Sequence, residues 1–162
     1  MLSPEEFSVG NAKDARGLTL LLPRGPYERP LLIVESEDKK IAVILDQEFP
    51  FSMFDLDSAE SWTGVLIPDV RVEVDERSVV DTDGFFIPSG LIVRERDYLA
   101  LKTDTGASRG RPQHCKLVLT SGLPMCSEPH SAGFSKWRIV LGEGLHKRTL
   151  REFTVEVPDR GT

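Results

Sequence analysis

Leu31-Leu32-Ile33-Val34, then the polar segment Glu35 to Lys40, then Ile41-Ala42-Val43-Ile44-Leu45 is the stretch whose reading decides the fold. Each apolar run is far shorter than an ordinary helix. Neither alternates with polar residues, which is the pattern of a strand covered on both faces. The polar segment between them is long enough to reverse the chain, so the two runs read as an antiparallel hairpin at the centre of a sheet.

The rest of the sequence supplies the surrounding strands. Successive side chains on a strand point to opposite faces, and three segments show that alternation plainly. Val70, Val72 and Val74 stand opposite Arg71, Glu73 and Asp75. Trp137, Ile139 and Leu141 stand opposite Lys136 and Arg138, so Trp137 is expected in the core. Phe153, Val155 and Val157 stand opposite Glu152, Thr154 and Glu156. Further strands are expected at Gly17–Leu22, Phe49–Phe54, Val65–Ile67, Phe85–Ile87, Leu91–Glu95, Tyr98–Lys102 and Lys116–Thr120, with reversals at Arg96-Asp97 and Gly142-Glu143-Gly144. Helical periodicity is nowhere sustained. Ser3-Pro4-Glu5-Glu6 has the residues of a capping box, yet Gly10 follows closely, and Asp57–Glu60 offers no more than another single turn. The expectation is an all-β fold, an antiparallel sandwich or flattened barrel of about ten short strands with at most one or two short helical turns. Parallel α/β folds need crossover helices that this sequence does not supply.

With 162 residues, 40% hydrophobic and 28% charged, the chain is expected to form a single domain spanning residues 1–162. The first residues carry acid where a secretory leader needs base, and no apolar run reaches the length of a membrane span. Two cysteines, Cys115 and Cys126, do not make the framework of a small secreted scaffold. A cytoplasmic setting is expected.

The net charge of −6 hides a strong asymmetry. Residues 35–83 hold 14 acidic and 4 basic side chains, whereas residues 84–151 hold 11 basic and 5 acidic ones. Pairing between the halves would neutralise both. Alternatively Asp55, Asp57, Glu60, Asp69, Glu73, Asp75 and Glu76, with Trp62 as an aromatic anchor, form an acidic face that attracts a basic protein. Nucleic acid is disfavoured as a partner, because phosphate binding requires clustered Lys and Arg.

Short motifs between residues 81 and 130 invite catalytic or metal readings. Asp104-Thr105-Gly106-Ala107 resembles the active-site tetrapeptide of aspartic proteases, and Ile139-Val140-Leu141-Gly142 resembles the apolar segment of the retroviral members. Only one copy exists, however, and 37 residues between Asp104 and Gly142 leave too little chain for the flap and its strands. Gly106-Ala107-Ser108-Arg109-Gly110 has the spacing of a nucleophile elbow, but a proline and a strand follow where a helix is required. Asp81-Thr82-Asp83-Gly84 suggests a calcium loop, yet the outer ligand positions fall on Val79 and Gly90. Cys115, Cys126 and His130 are zinc-type residues without a CxxC pair, and adjacency makes His114 and Cys115 diverge on a strand. A disulfide between the cysteines requires an oxidising environment.

The sequence therefore points to a non-catalytic interaction module with no cofactor, no catalytic residue and no metal. An immunity-type inhibitor meeting a cationic toxin is one concrete form; a homo-oligomer stays open. The alternative is a small metal-binding protein or hydrolase using residues 103–130.

Overall fold

Alternating and doubly apolar segments become strands that pair antiparallel throughout. The computed structural model describes residues 1–25, 29–35, 39–46, 48, 51–56, 62–80, 88–95, 98–103, 115–119, 124–126 and 132–157. In chain order the strands are β1 (Ser8–Asn11), β2 (Thr19–Pro23), β3 (Leu31–Glu35), β4 (Lys40–Ile44), β5 (Met53–Asp55), β6 (Thr63–Ile67), β7 (Arg71–Val74) and β8 (Val79–Val80). They continue with β9 (Ile92–Glu95), β10 (Tyr98–Lys102), β11 (Cys115–Val118), β12 (Pro124–Cys126), β13 (Ala132–Phe134), β14 (Lys136–Leu141) and β15 (Arg148–Thr154). Three antiparallel sheets result, ordered β1-β6-β2-β3-β4-β5, β12-β11-β10-β9-β13-β8 and β15-β14-β7.

The hairpin of β3 and β4 lies inside the first sheet, with Leu31 opposite Ile44 and Glu35 opposite Lys40. Its apolar runs are unbroken because both faces are covered. Leu32, Val34, Ile41 and Val43 enter a large core, while Leu31, Ile33 and Ala42 enter a second cluster closed by Ala12, Ala15 and Leu56. The large core draws on every sheet: Leu20 and Leu32 from the first, Ile92 and Leu101 from the second, Trp137 and Ile139 from the third. The all-β sandwich expected from the sequence is the fold observed.

The details differ where short-range geometry overrides alternation. Among the described residues there are fifteen strands rather than about ten, because pieces as short as β8, β12 and β13 carry no readable period. Of the strand expected at Phe49–Phe54, Phe49 and Pro50 lie outside the described residues, and the strand observed begins at Met53, after Phe51 with its left-handed φ of 51°. The last strand begins earlier and ends earlier than its alternation suggests, leaving Val155 and Val157 beyond Thr154. At Ser3–Glu6 the capping contact does form: the Ser3 N–H donates to Glu6 Oε2 at 2.7 Å. It closes only a turn, and the chain enters β1 two residues after Glu6. Helical content among the described residues is instead three single 3₁₀ turns, at Ala12–Asp14, Glu76–Ser78 and Gly144–His146. The strand expected at Phe85–Ile87 and the turn at Asp57–Glu60 lie outside the described residues.

The first sheet has one point of closest backbone approach. A Cβ at Gly64 on β6 would sit 2.2 Å from the Leu22 carbonyl oxygen on β2, and that oxygen belongs to the ladder and cannot swing away. Gly64→Ala is therefore expected to destabilise the fold by about 1–3 kcal/mol, as overpacking typically does, read as a lower urea midpoint at unchanged slope.

Candidate functional site

The third sheet presents its polar face as a charged row. On β14 Trp137, Ile139 and Leu141 are buried, so the period of two turns Arg138 to the opposite side. The register then sets Arg138 directly across from Glu73 on β7 and from Glu152 on β15, giving acid, base and acid across three strands. Arg138 Nη2 lies 3.0 Å from Glu73 Oε1, and Nε donates to the same oxygen at 3.3 Å. A second cation arrives from the turn joining β14 to β15: Lys147 Nζ reaches the two Glu73 oxygens at 3.0 and 3.2 Å.

That turn is tied down. Gly142 has a φ of 81°, and a Cβ there would fall 2.6 Å from the His146 carbonyl oxygen. Arg71 on β7 donates to the Gly142 carbonyl and pairs with Glu143 at 3.3 Å. The hydrogen bond from Lys147, with Arg138 beside it, holds the Glu73 carboxyl below its ordinary pKa of 4.5, against the opposing effect of burial.

Beyond β7 the chain turns sharply over Asp75. Its carboxylate accepts the Arg77 N–H at 3.0 Å, which caps the Glu76–Ser78 turn and is the main cause of its own lowered pKa. The turn is stitched to the start of β14, where the Lys136 N–H donates to Ser78 Oγ at 3.0 Å and the Asp75 N–H to the Lys136 carbonyl at 2.9 Å. Between these elements lies a groove of about 580 Å³ whose charged lining includes Glu73, Asp75, Glu76, Lys136, Arg138 and Glu152. Trp137 and Phe153, stacked at 4.2 Å between centroids, also border it. Chemically the groove offers fixed charge of both signs over an aromatic base, suited to orienting a charged partner.

Of the residues singled out from sequence, the structure brings Glu73, Asp75 and Glu76 to this groove. Asp69 lies in the connection from β6 to β7, exposed, with a left-handed φ of 58°. Asp55 is exposed on β5, the outer strand of the first sheet. Trp62 is half-buried against Phe54, centroids 5.7 Å apart, beside the second core cluster. Asp57 and Glu60 lie outside the described residues, as do Asp81–Gly84, Asp104–Gly110, His114 and His130. Cys115 and Cys126 occupy opposite positions on β11 and β12. No group of three His, Cys, Asp or Glu fit to hold a metal occurs among the described residues.

Sequence reading missed Lys136, Arg138, Lys147 and Glu152 as parts of this site. Alternation already marked Lys136, Arg138 and Glu152 as a polar face; only the strand order tells which acid meets which base.

The features define an all-β protein of three antiparallel sheets with a charge-paired groove on the smallest sheet, and no helix among the described residues is long and apolar enough to cross a membrane. More narrowly, the chain belongs to the family described as "Uncharacterised protein y4lG", which matches residues 9–160. It is 39% identical over 154 residues to the "Uncharacterized protein y4lG" of Sinorhizobium fredii (strain NBRC 101917 / NGR234), covering 93% of this chain and 91% of that protein. No solved structure matches the chain.

The lowered pKa of Glu73 makes its ion pairs pH-dependent. A carboxyl depressed on folding contributes stability that is full above its unfolded value of 4.5 and is lost as pH falls through the lower folded value. Glu73→Gln is expected to lower the urea midpoint at neutral pH, and the gap to the parent protein should close as the medium is acidified below 4.5. A gap that stays constant across this range would show that the Glu73 charge contributes nothing to folding.

Proposed function

We propose that the chain is a non-catalytic protein-interaction module of the cytoplasm that receives a basic protein on the groove of the third sheet. An immunity-type inhibitor occupying a cationic protein is the form this takes. One observation carries the reading: Glu73 is engaged by Arg138 and Lys147, whereas Glu76 and Glu152 stand exposed at the same groove. The internal pairs hold the strands and the turn in place, and the exposed acids meet the partner. Charge placed this way sets orientation and association rate more than affinity. Asp75 has a structural duty as the cap of its turn, so it contributes field rather than a movable contact.

An immobilised oligolysine peptide serves as a probe of this surface. The native chain is expected to bind it with an affinity that falls as salt rises. Combined Glu76→Lys and Glu152→Lys should weaken binding about tenfold, roughly 1.4 kcal/mol, with the protein still fully folded in the assay although position 152 faces Arg138. Glu5→Lys with Asp55→Lys changes net charge by the same amount elsewhere and should weaken it far less. Equal losses in the two double variants would overturn the assignment of the groove, because net charge alone would then explain the binding.

A further inference from the structure

We propose that Cys115 and Cys126 are a reversible thiol–disulfide pair that fastens β12 to β11 when the surrounding thiol pool is oxidised. The observation is a register. In the antiparallel pair of β11 and β12, Cys115 is the direct partner of Cys126, Lys116 of Met125, and Leu117 of Pro124. Proline has no backbone N–H, so Leu117 and Pro124 cannot exchange two ladder hydrogen bonds. Opposed pairs alternate between the hydrogen-bonded and non-hydrogen-bonded kinds. Two positions along, Cys115 and Cys126 therefore fall on the same kind as Leu117 and Pro124, the non-hydrogen-bonded one.

That kind has opposed Cα atoms about 4.5 Å apart, within the span of about 4.4–6.8 Å that a disulfide bridges. The spacing falls inside that span, so the register itself permits the bond. Exchange with the surrounding thiol pool then sets whether it is closed. Its place in the fold gives it something to do. Among the described residues β12 is the outermost strand of the second sheet, three residues long and paired with β11. A covalent link at its end adds to the backbone pairing that holds that edge in register.

The chemistry balances with an oxidised small thiol such as glutathione disulfide. One cysteine thiolate attacks a sulfur of the oxidant, forming a mixed disulfide and expelling one glutathione thiolate. The other cysteine thiolate then attacks the protein-side sulfur and expels the second. The two cysteines give up two electrons and two protons, and the oxidant becomes two thiols.

The test treats the full chain with excess glutathione disulfide, blocks remaining thiols with a maleimide, and reads the intact mass. The expected product is monomeric, lacks maleimide and glutathione, weighs two hydrogens less than the reduced chain, and returns to two reactive thiols with dithiothreitol. Cys126→Ser under the same treatment should leave Cys115 as a glutathione adduct or a maleimide adduct. Two maleimides on the oxidised native chain, two glutathione adducts, or a cross-link between copies would each overturn the proposal. Because the native chain itself gives the deciding result, a folding defect in the variant does not obscure it.

Discussion

One aromatic contact set ties together the three sheets at their shared core, around Trp137. Its indole N–H donates to the Gly90 carbonyl at 2.7 Å, joining the third sheet to the approach of the second. Its ring stacks on Phe153 at 4.2 Å and meets Phe51 at 6.0 Å, which brings in the segment before β5 of the first sheet. Gly90 is required here twice. Its φ is 98°, and a Cβ would lie 2.4 Å from the Phe51 ring. Phe51 in turn holds an uncommon left-handed φ of 51°, a strain that surrounding contacts must outweigh. Trp137 is 3% exposed, so losing its hydrogen bond would strand a buried polar group at a cost of about 1–3 kcal/mol.

This contact set also fixes the groove. With Trp137 committed to the core, the pleat leaves Arg138 nowhere to point but the opposite face, where the neighbouring strands present Glu73 and Glu152. The ion pairs are a consequence of the core, not a cause of the fold. Half-exposed pairs of this type contribute about 0–1 kcal/mol each. Their larger effect is geometric: Lys147 and Arg71 strap the β14–β15 turn across the polar face, and Arg138 aligns the strand between them.

Much of this was legible from residue order. The doubly apolar runs at Leu31–Val34 and Ile41–Leu45 announced an interior hairpin because a strand with two covered faces has no polar side to show. Alternation placed Trp137 inside and Arg138 outside without any knowledge of neighbours. What alternation cannot carry is partnership. Nothing local to Arg71–Val74 says that β7 leaves the sheet of its chain neighbour β6 and pairs with β14, more than sixty residues away. The left-handed Phe51 was equally hidden, because the residues that its ring meets, Gly90 and Trp137, lie far along the chain.

That long-range pairing decides what the charge asymmetry means. Counted along the chain, the acidic segment and the basic segment look like two opposed surfaces. In the third sheet they interleave, since β7 comes from the acidic stretch and β14 from the basic one. Glu73 is neutralised across the two segments by Arg138 and Lys147, while residues before the acidic segment take further partners, Glu6 pairing with Arg148 and Arg29 with Asp46 and Glu48. A lysine arriving from outside gains little at Glu73, where it must displace two cations already at hydrogen-bond distance. It gains more at Glu76 and Glu152, which stand exposed. In the proposed function, recognition by this face is therefore set less by the number of carboxylates in the sequence than by which of them the strand order has already used.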